Sequence, residues 1–217
     1  MMKRLFTILS MALAVLLVAF GTSCSAEKSP KQGIITVENG QFMRNGQPYY
    51  FVGTNFWYGA ILGSEGEGGN RERLGKELDF MKANGIDNLR ILIGGEGENG
   101  LLGKIEPNLQ PKPGEYNDDV LAGLDYLMME LGKRNMTAVL YFNNAWEWSG
   151  GYTQYVAWAN NTPVLVPRVD GWFSYNTFAG EFVRNERAKQ IFYDHVKFIV
   201  SRTNRYTGVK YIDDPAI

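Results

Sequence analysis

The stretch from Thr137 to Tyr155, TAVLYFNNAWEWSGGYTQY, constrains this chain more than any other. Its opening run, Ala138-Val139-Leu140-Tyr141-Phe142, carries strand-forming residues with no polar alternation. A strand covered on both faces reads this way, and such strands belong to parallel sheets flanked by helices. The run then breaks into Asn143 and Asn144, Trp146 and Trp148, and the pair Gly150-Gly151. Amides that hydrogen-bond hydroxyls, next to flat aromatic faces, describe a loop suited to sugars.

Two further βα units precede this one. Ile34–Gly40 and Gln41–Asn45 read as a short strand and a turn, with Asn45-Gly46 as a hairpin signal. A strand over Tyr49–Val52 follows, ending in Gly53-Thr54-Asn55-Phe56-Trp57-Tyr58 and a glycine-rich loop, Gly63–Gly69. Asn70 caps a helix expected over 71–84, with Leu74, Leu78 and Met81 on one face and Gly85 as its stop. The apolar strand Ile86–Ile93 comes next, interrupted by Arg90. Asn117 caps a second helix over 118–135 with an apolar stripe through Val120, Leu121, Leu124, Leu127, Met128 and Leu131. A loop from Ser149 to about Gly180 carries Trp158 and Trp172. A third helix is expected over 185–204, and Tyr211–Ile217 reads as the lead into a fourth strand.

Strands alternating with amphipathic helices indicate parallel βαβ units. The first strand-to-helix loop has no phosphate-binding GxGxxG pattern, so a dinucleotide fold loses its main support. The loops after strands are long and aromatic, and those after helices are short. That asymmetry suits an α/β (β/α)₈ TIM barrel, whose sites lie at the strand C-termini. A whole barrel needs about 250 residues. The chain therefore reads as the N-terminal half of one: about three βα units and an N-terminal hairpin over residues 34–217.

The N-terminus is read as a targeting segment. Lys3 and Arg4 precede a nearly continuous apolar run, Leu5–Phe20, and small residues lead to Cys24. The spacing resembles a bacterial lipoprotein signal over residues 1–24, with Cys24 lipidated and residues 25–33 as a polar tether. The alternative is an ordinary signal peptide with an incidental cysteine. Either implies export; the first implies a lipid-anchored protein of the cell envelope. Cys24 is the only cysteine in the sequence, so no internal disulfide forms. A formal net charge of −1 over 217 residues offers no footprint for nucleic acid. One histidine and one cysteine leave almost no ligands for a transition metal, and neither a metal nor a cofactor is expected.

Arg90 is the sharpest chemical clue. A guanidinium on a barrel strand cannot shed its charge, so it must meet carboxylates or substrate oxygens. It is expected to be buried and to face an acid that this chain does not contain; the alternative is an arginine on an edge strand that reaches out to solvent. The five tryptophans fall at strand ends or in the loop after the third strand. Trp57 and Trp146 read as ligand contacts, while Trp158 and Trp172 read as packing the loop down. Glu96, Glu98, Glu147 and Glu181 read as solvated loop carboxylates, and His195 as a hydrogen-bonded core histidine.

Together these residues resemble the family 5 glycoside hydrolases, in particular the endo-β-1,4-mannanase subfamily. The matching pieces are Gly53-Thr54-Asn55-Phe56-Trp57-Tyr58, Asn88-Leu89-Arg90-Ile91-Leu92, and Asn143-Asn144-Ala145-Trp146-Glu147 with Gly150-Gly151 and Tyr155. The closing Tyr206-Thr207-Gly208 and Asp213–Ile217 resemble the lead-in to the family's fourth strand. The resemblance implies retaining hydrolysis of internal bonds in mannan, glucomannan or galactomannan by two glutamates. Both would lie beyond Ile217, so no catalytic residue is expected in this chain and the 217-residue product is expected to be inactive. It also implies that Arg90 supports the nucleophile and that Asn55, Trp57, Tyr58, Asn143 and Trp146 bind substrate. Many members carry the glycone tryptophan one place later, where this chain has Tyr58. A non-catalytic glycan-binding lipoprotein and a β-1,4-glucanase of the same family are the alternatives.

Overall fold

The computed structural model describes residues 33–217. The expected signal segment, Cys24 and nearly all of the tether lie outside these residues. The chain enters through an antiparallel three-stranded sheet, β1 (Ile35–Glu38), β2 (Gln41–Arg44) and β3 (Gln47–Pro48). Its two turns, Asn39-Gly40 and Asn45-Gly46, both have positive φ, which Asn-Gly pairs accept at low cost.

A parallel sheet follows: β4 (Gly53–Asn55), β5 (Asn88–Leu92) and β6 (Thr137–Tyr141), in that order. The strand expected at Tyr49–Val52 begins later, at Gly53. The reason is the ladder itself: β5 starts at Asn88, and Gly53 is the residue opposite it. Tyr50, Phe51 and Val52 stay exposed before the pairing begins.

The helices between strands form where the apolar spacing and caps placed them. α1 (Gly59–Leu62) is a single turn. α2 (Arg71–Ala83) starts where the Asn70 side chain accepts the Arg73 amide. α3 (Asp118–Lys133) starts where Asn117 accepts the amides of Asp119 and Val120. Their stripes, Leu74, Leu78 and Met81 on α2 and Leu124, Leu127 and Leu131 on α3, bury against Leu89, Ile91 and Ala138 of the sheet. Full burial of each such side chain is worth about 2 kcal/mol.

The expected loop 149–180 is largely helical: α4 (Gly151–Asn160), α5 (Pro167–Asp170) and α6 (Trp172–Gly180). Trp158 and Trp172 therefore lie on helices. Glycine, threonine and aromatics give this segment weak helix propensity, which hid it. Tertiary packing supplies what propensity lacks: Tyr155 and Val156 of α4 form a second core with Ala188, Ile191 and Phe192 of α7 (Glu186–Ser201). After α7, the amide of Ala138 in β6 donates to the carbonyl of Ala216 at 2.7 Å. Residues 211–217 thus reach the free edge of β6, as their reading as a strand lead-in expects.

Strand alternation gives the parallel sheet two unlike faces. Leu89 and Ile91 point to the helices and are fully buried. Asn55, Arg90 and Val139 share one row of the ladder on the opposite face, and all three are exposed. This is the face a closed barrel turns inward, and the polypeptide fold is that of the first three βα units of a (β/α)₈ barrel.

Candidate functional site

The row Asn55, Arg90, Val139 fixes the centre of the site. Arg90 Nη1 donates to Asn55 Oδ1 at 3.3 Å. Its guanidinium carbon lies 3.5 Å from the centre of the Tyr141 ring, one residue pair further along the same face. The expected burial of Arg90 is not met: the side chain is exposed. The sheet face it occupies has no second layer over it within the described residues, so nothing displaces water. Among the described residues its neighbours are Asn55 and Tyr141, and it makes no salt bridge to a carboxylate.

Trp57 stands 37% exposed, with its ring edge-on to Trp148 at 5.3 Å. Tyr58 turns the other way. Its hydroxyl donates to Glu77 on α2 at 2.9 Å, and its ring packs against Phe56. Of this aromatic pair, Trp57 meets the loop after β6.

That loop is organised by short polar contacts. Asn144 Oδ1 accepts the Trp146 amide at 2.9 Å. Trp146 is 59% exposed and edge-on to Trp172 at 5.8 Å. The buried Tyr175 of α6 meets Trp172 at 5.8 Å and donates its hydroxyl to the Ala145 carbonyl at 3.5 Å. Trp158 packs edge-on to Tyr155 inside the second core, as its reading required.

Glu96 departs from its reading as a solvated loop acid: it is completely buried. Its carboxylate accepts Tyr155 Oη at 3.0 Å, the Gly151 amide at 3.3 Å and Asn143 Nδ2 at 3.4 Å. Burial pushes its pKa up to about 7; the bonds from Tyr155, Gly151 and Gly95 and the charge of Lys104 pull the other way. The Lys104 ammonium donates to Gln154 Oε1 at 2.8 Å, and burial lowers it to about 8. A signal for this cluster existed in the glycines. Gly150 has φ 94°, and a Cβ there would overlap the Glu96 carbonyl, so the two loops close on the carboxylate only without side chains. Glu98 and Glu181 are exposed, as read.

His195 is a core histidine as expected. Its Nε2 is 2.8 Å from the Ile93 carbonyl, its Nδ1 3.2 Å from Tyr116 Oη, and burial lowers its pKa to about 4. Among the described residues no cluster of three or more His, Cys, Asp or Glu side chains is placed to hold a metal ion.

The arrangement is an open, aromatic-edged sheet face with one fixed cation, suited to a neutral polyhydroxylated ligand. Comparisons agree with that chemistry. The family model described as glycoside hydrolase family 5 β-mannosidase-like matches residues 32–217. Mannan endo-1,4-beta-mannosidase 7 of Arabidopsis thaliana is 29% identical over 188 residues, covering 87% of this chain and 39% of the relative. Mannan endo-1,4-beta-mannosidase 1 of the same plant is 30% identical over 187 residues, covering 86% and 40%. A solved family 5 mannosidase mutant from Rhizomucor miehei, in complex with mannosyl-fructose, superposes with TM-score 0.81 at 35% identity, covering 85% of this chain and 47% of its own. The endo-1,4-β-mannanase of the same fungus, at 23% identity and TM-score 0.63, shares the fold. The chain spans about two fifths of the length of these curated relatives and about half that of the solved mannosidase.

Proposed function

The chain belongs to the glycoside hydrolase family 5 β-mannosidase-like family, and from that premise we propose that the protein carrying it is a retaining hydrolase of β-1,4-mannosidic bonds in mannan, glucomannan or galactomannan. One observation supports this most directly. Arg90 stands on the open sheet face between Asn55 and Tyr141, with no acid beside it. In the proposed mechanism two glutamates from strands following β6 complete the site about 5 Å apart. One attacks the anomeric carbon and the other protonates the leaving oxygen. The fixed guanidinium holds the nucleophile ionised. Asn55 orients the guanidinium, and Trp57, Asn143 and Trp146 hold sugar rings along the rim.

A second reading is hydrolysis of short mannosides rather than polymer. It is favoured by the closer likeness to the mannosidase solved with mannosyl-fructose than to the endo-acting enzyme. Export with a lipid anchor on Cys24 is proposed from the N-terminal residues alone. Mass spectrometry of the membrane fraction tests it through a diacylglyceryl-modified N-terminal peptide.

The test of function is reducing-end release by the 217-residue chain and by the product of its natural reading frame. Galactomannan, mannobiose and carboxymethylcellulose are the substrates. The expected result is mannan cleavage with the β-anomer formed first by the longer product, and none by the short chain. Cleavage confined to cellulose, or binding of mannan without cleavage by the longer product, would overturn it.

A further inference from the structure

Trp172 and Trp158 end in different places. Trp158 packs inside the second core, whereas Trp172, the first residue of α6, is 45% exposed. Its ring stands edge-on to that of Trp146 at 5.8 Å, with 80° between the two planes. The two indoles form a right-angled corner open to solvent. An edge-on pair leaves ring faces uncovered, and among the described residues no arginine stacks on either indole. Phe173, the next residue of α6, is also exposed and widens the apolar patch.

The corner is fixed from both sides. Under Trp146, the Asn144 side chain accepts the Trp146 amide, and Gly151 lets the loop fold back on itself. A Cβ at Gly151 would lie 2.7 Å from the Asn144 carbonyl oxygen and 3.1 Å from that of Trp146. Under Trp172, the buried Tyr175 meets the indole edge-on and reaches across to the Ala145 carbonyl. α6 is thereby tied to the residue before Trp146. Exposed apolar patches of this kind mark interaction sites, and rings already held in place lose little freedom when a ligand covers them.

Continuity and chemistry choose the occupant. The corner adjoins the aromatic rim of the site, because Trp146 belongs to both. A pyranose ring has apolar C–H faces and a rim of hydroxyls, so one face covers an indole while the hydroxyls stay in water. Among the described residues, the rings that Trp146 and Trp172 meet are each other and Tyr175, and neither stacks on Tyr141. Trp146 follows Tyr141 by five positions, which puts their Cα atoms no more than about 18 Å apart. The corner therefore stands off the Arg90 centre, within reach of a sugar chain that passes through it.

We propose that Trp172 is a specificity-determining residue: with Trp146 it holds a pyranose ring of a β-1,4-linked mannan chain away from the bond that is cleaved. Chains of several sugars gain this contact and mannobiose does not. The proposal rests on the mannoside reading above and adds to it a preference for longer chains, set by α6.

Kinetics on mannotetraose and mannobiose test it in the protein that turns over mannosides. Trp172→Ala should raise KM for mannotetraose about threefold to tenfold, the scale of one aromatic stacking contact. A contact made equally in ground and transition states leaves kcat unmoved. Both constants for mannobiose should stay as they are. Trp172→Tyr keeps a flat ring in the corner and should restore most of the loss, which a general loosening of α6 does not predict. Equal changes on both substrates, or no change on either, overturn the proposal. A second measurement needs no hydrolysis: the indole N–H resonances of Trp146 and Trp172 in the 217-residue chain, assigned with Trp146→Phe and Trp172→Phe, during titration with mannotetraose. Both should shift together. Shifts without hydrolysis by the longer product would end the mannosidase reading and keep the sugar corner; hydrolysis beside a motionless Trp172 resonance would end the corner and keep the reading. An oligomeric state that changes in Trp172→Ala, with no response to sugar, would assign the patch to a second copy of the chain and overturn the proposal.

Discussion

The guanidinium of Arg90 sits over the ring of Tyr141, its central carbon 3.5 Å from the ring centre, with Asn55 Oδ1 accepting from its Nη1 at 3.3 Å. The two residues belong to neighbouring strands, 51 positions apart in sequence, and are brought together by the ladder that sets Arg90 against Val139. A cation held this way is aimed without being buried.

Arg90 should therefore matter little for folding and greatly for chemistry. An exposed cation–π contact contributes about 0.5–1 kcal/mol. Arg90→Ala should lower the stability of the chain by no more than that in urea titration. In the protein that hydrolyses mannosides it should cost about 10²–10³ in kcat, the scale for removing one preorganised charge-stabilising donor. A stability loss of several kcal/mol would show that Arg90 holds the sheet together instead.

Glu96 and His195 give opposite pH slopes. Glu96 is raised from 4.5 to about 7, so its contribution to stability is fully present below 4.5 and is lost as pH rises through 7. His195 is lowered from 6.5 to about 4, so its contribution is present above 6.5 and is lost as pH falls through 4. Each amounts to about 3 kcal/mol at 1.36 kcal/mol per pKa unit. Between pH 4.5 and 6.5 they offset one another. Compared with wild type, Glu96→Gln should lose stability more steeply on acidification, and His195→Gln should gain it. Denaturant midpoints at pH 4.5, 5.5 and 6.5 check the signs; parallel curves would refute both assignments.

Asp125 of α3 is the junction for the segment after α7. Its fully buried carboxylate meets Arg202 at 2.8 Å, Arg205 at 3.0 Å and Tyr211 Oη at 2.6 Å. Asn204 Nδ2 donates to its main-chain carbonyl. Asp125→Ala removes the partner of the mostly buried Arg202 and should cost about 3–5 kcal/mol. Thermal unfolding should show it. A loss below about 1 kcal/mol would mean that water replaces the carboxylate freely.

Two glycines of α3 should behave in opposite ways. A Cβ at Gly123 would run into the Ala60 carbonyl where α1 crosses α3, so Gly123→Ala should destabilise by about 1–3 kcal/mol. Gly132 has open space around it, and Gly132→Ala should stabilise by up to about 1 kcal/mol through helix propensity. Equal effects at both sites would undermine the close α1–α3 crossing.

The amino-acid sequence alone determined the periodic elements, because their signals are local. Asn70, Asn117 and Asn185 each begin a helix where their side chains cap it, and the apolar stripes of α2 and α3 face the sheet as their spacing requires. It also marked Asn55 at a strand end, and Trp57, Asn143 and Trp146 in loops, at one end of that sheet. Only the tertiary structure decided the rest. The helices α4 and α6 exist because Tyr155, Tyr175 and Phe192 find partners far along the chain, which local propensity does not register. Arg90 is exposed because burial depends on what lies across a face, and a strand pattern reports only its own side. Glu96 is buried because glycines from two distant loops close over it, so one carboxylate spelled like its solvated neighbour Glu98 ends in a different environment.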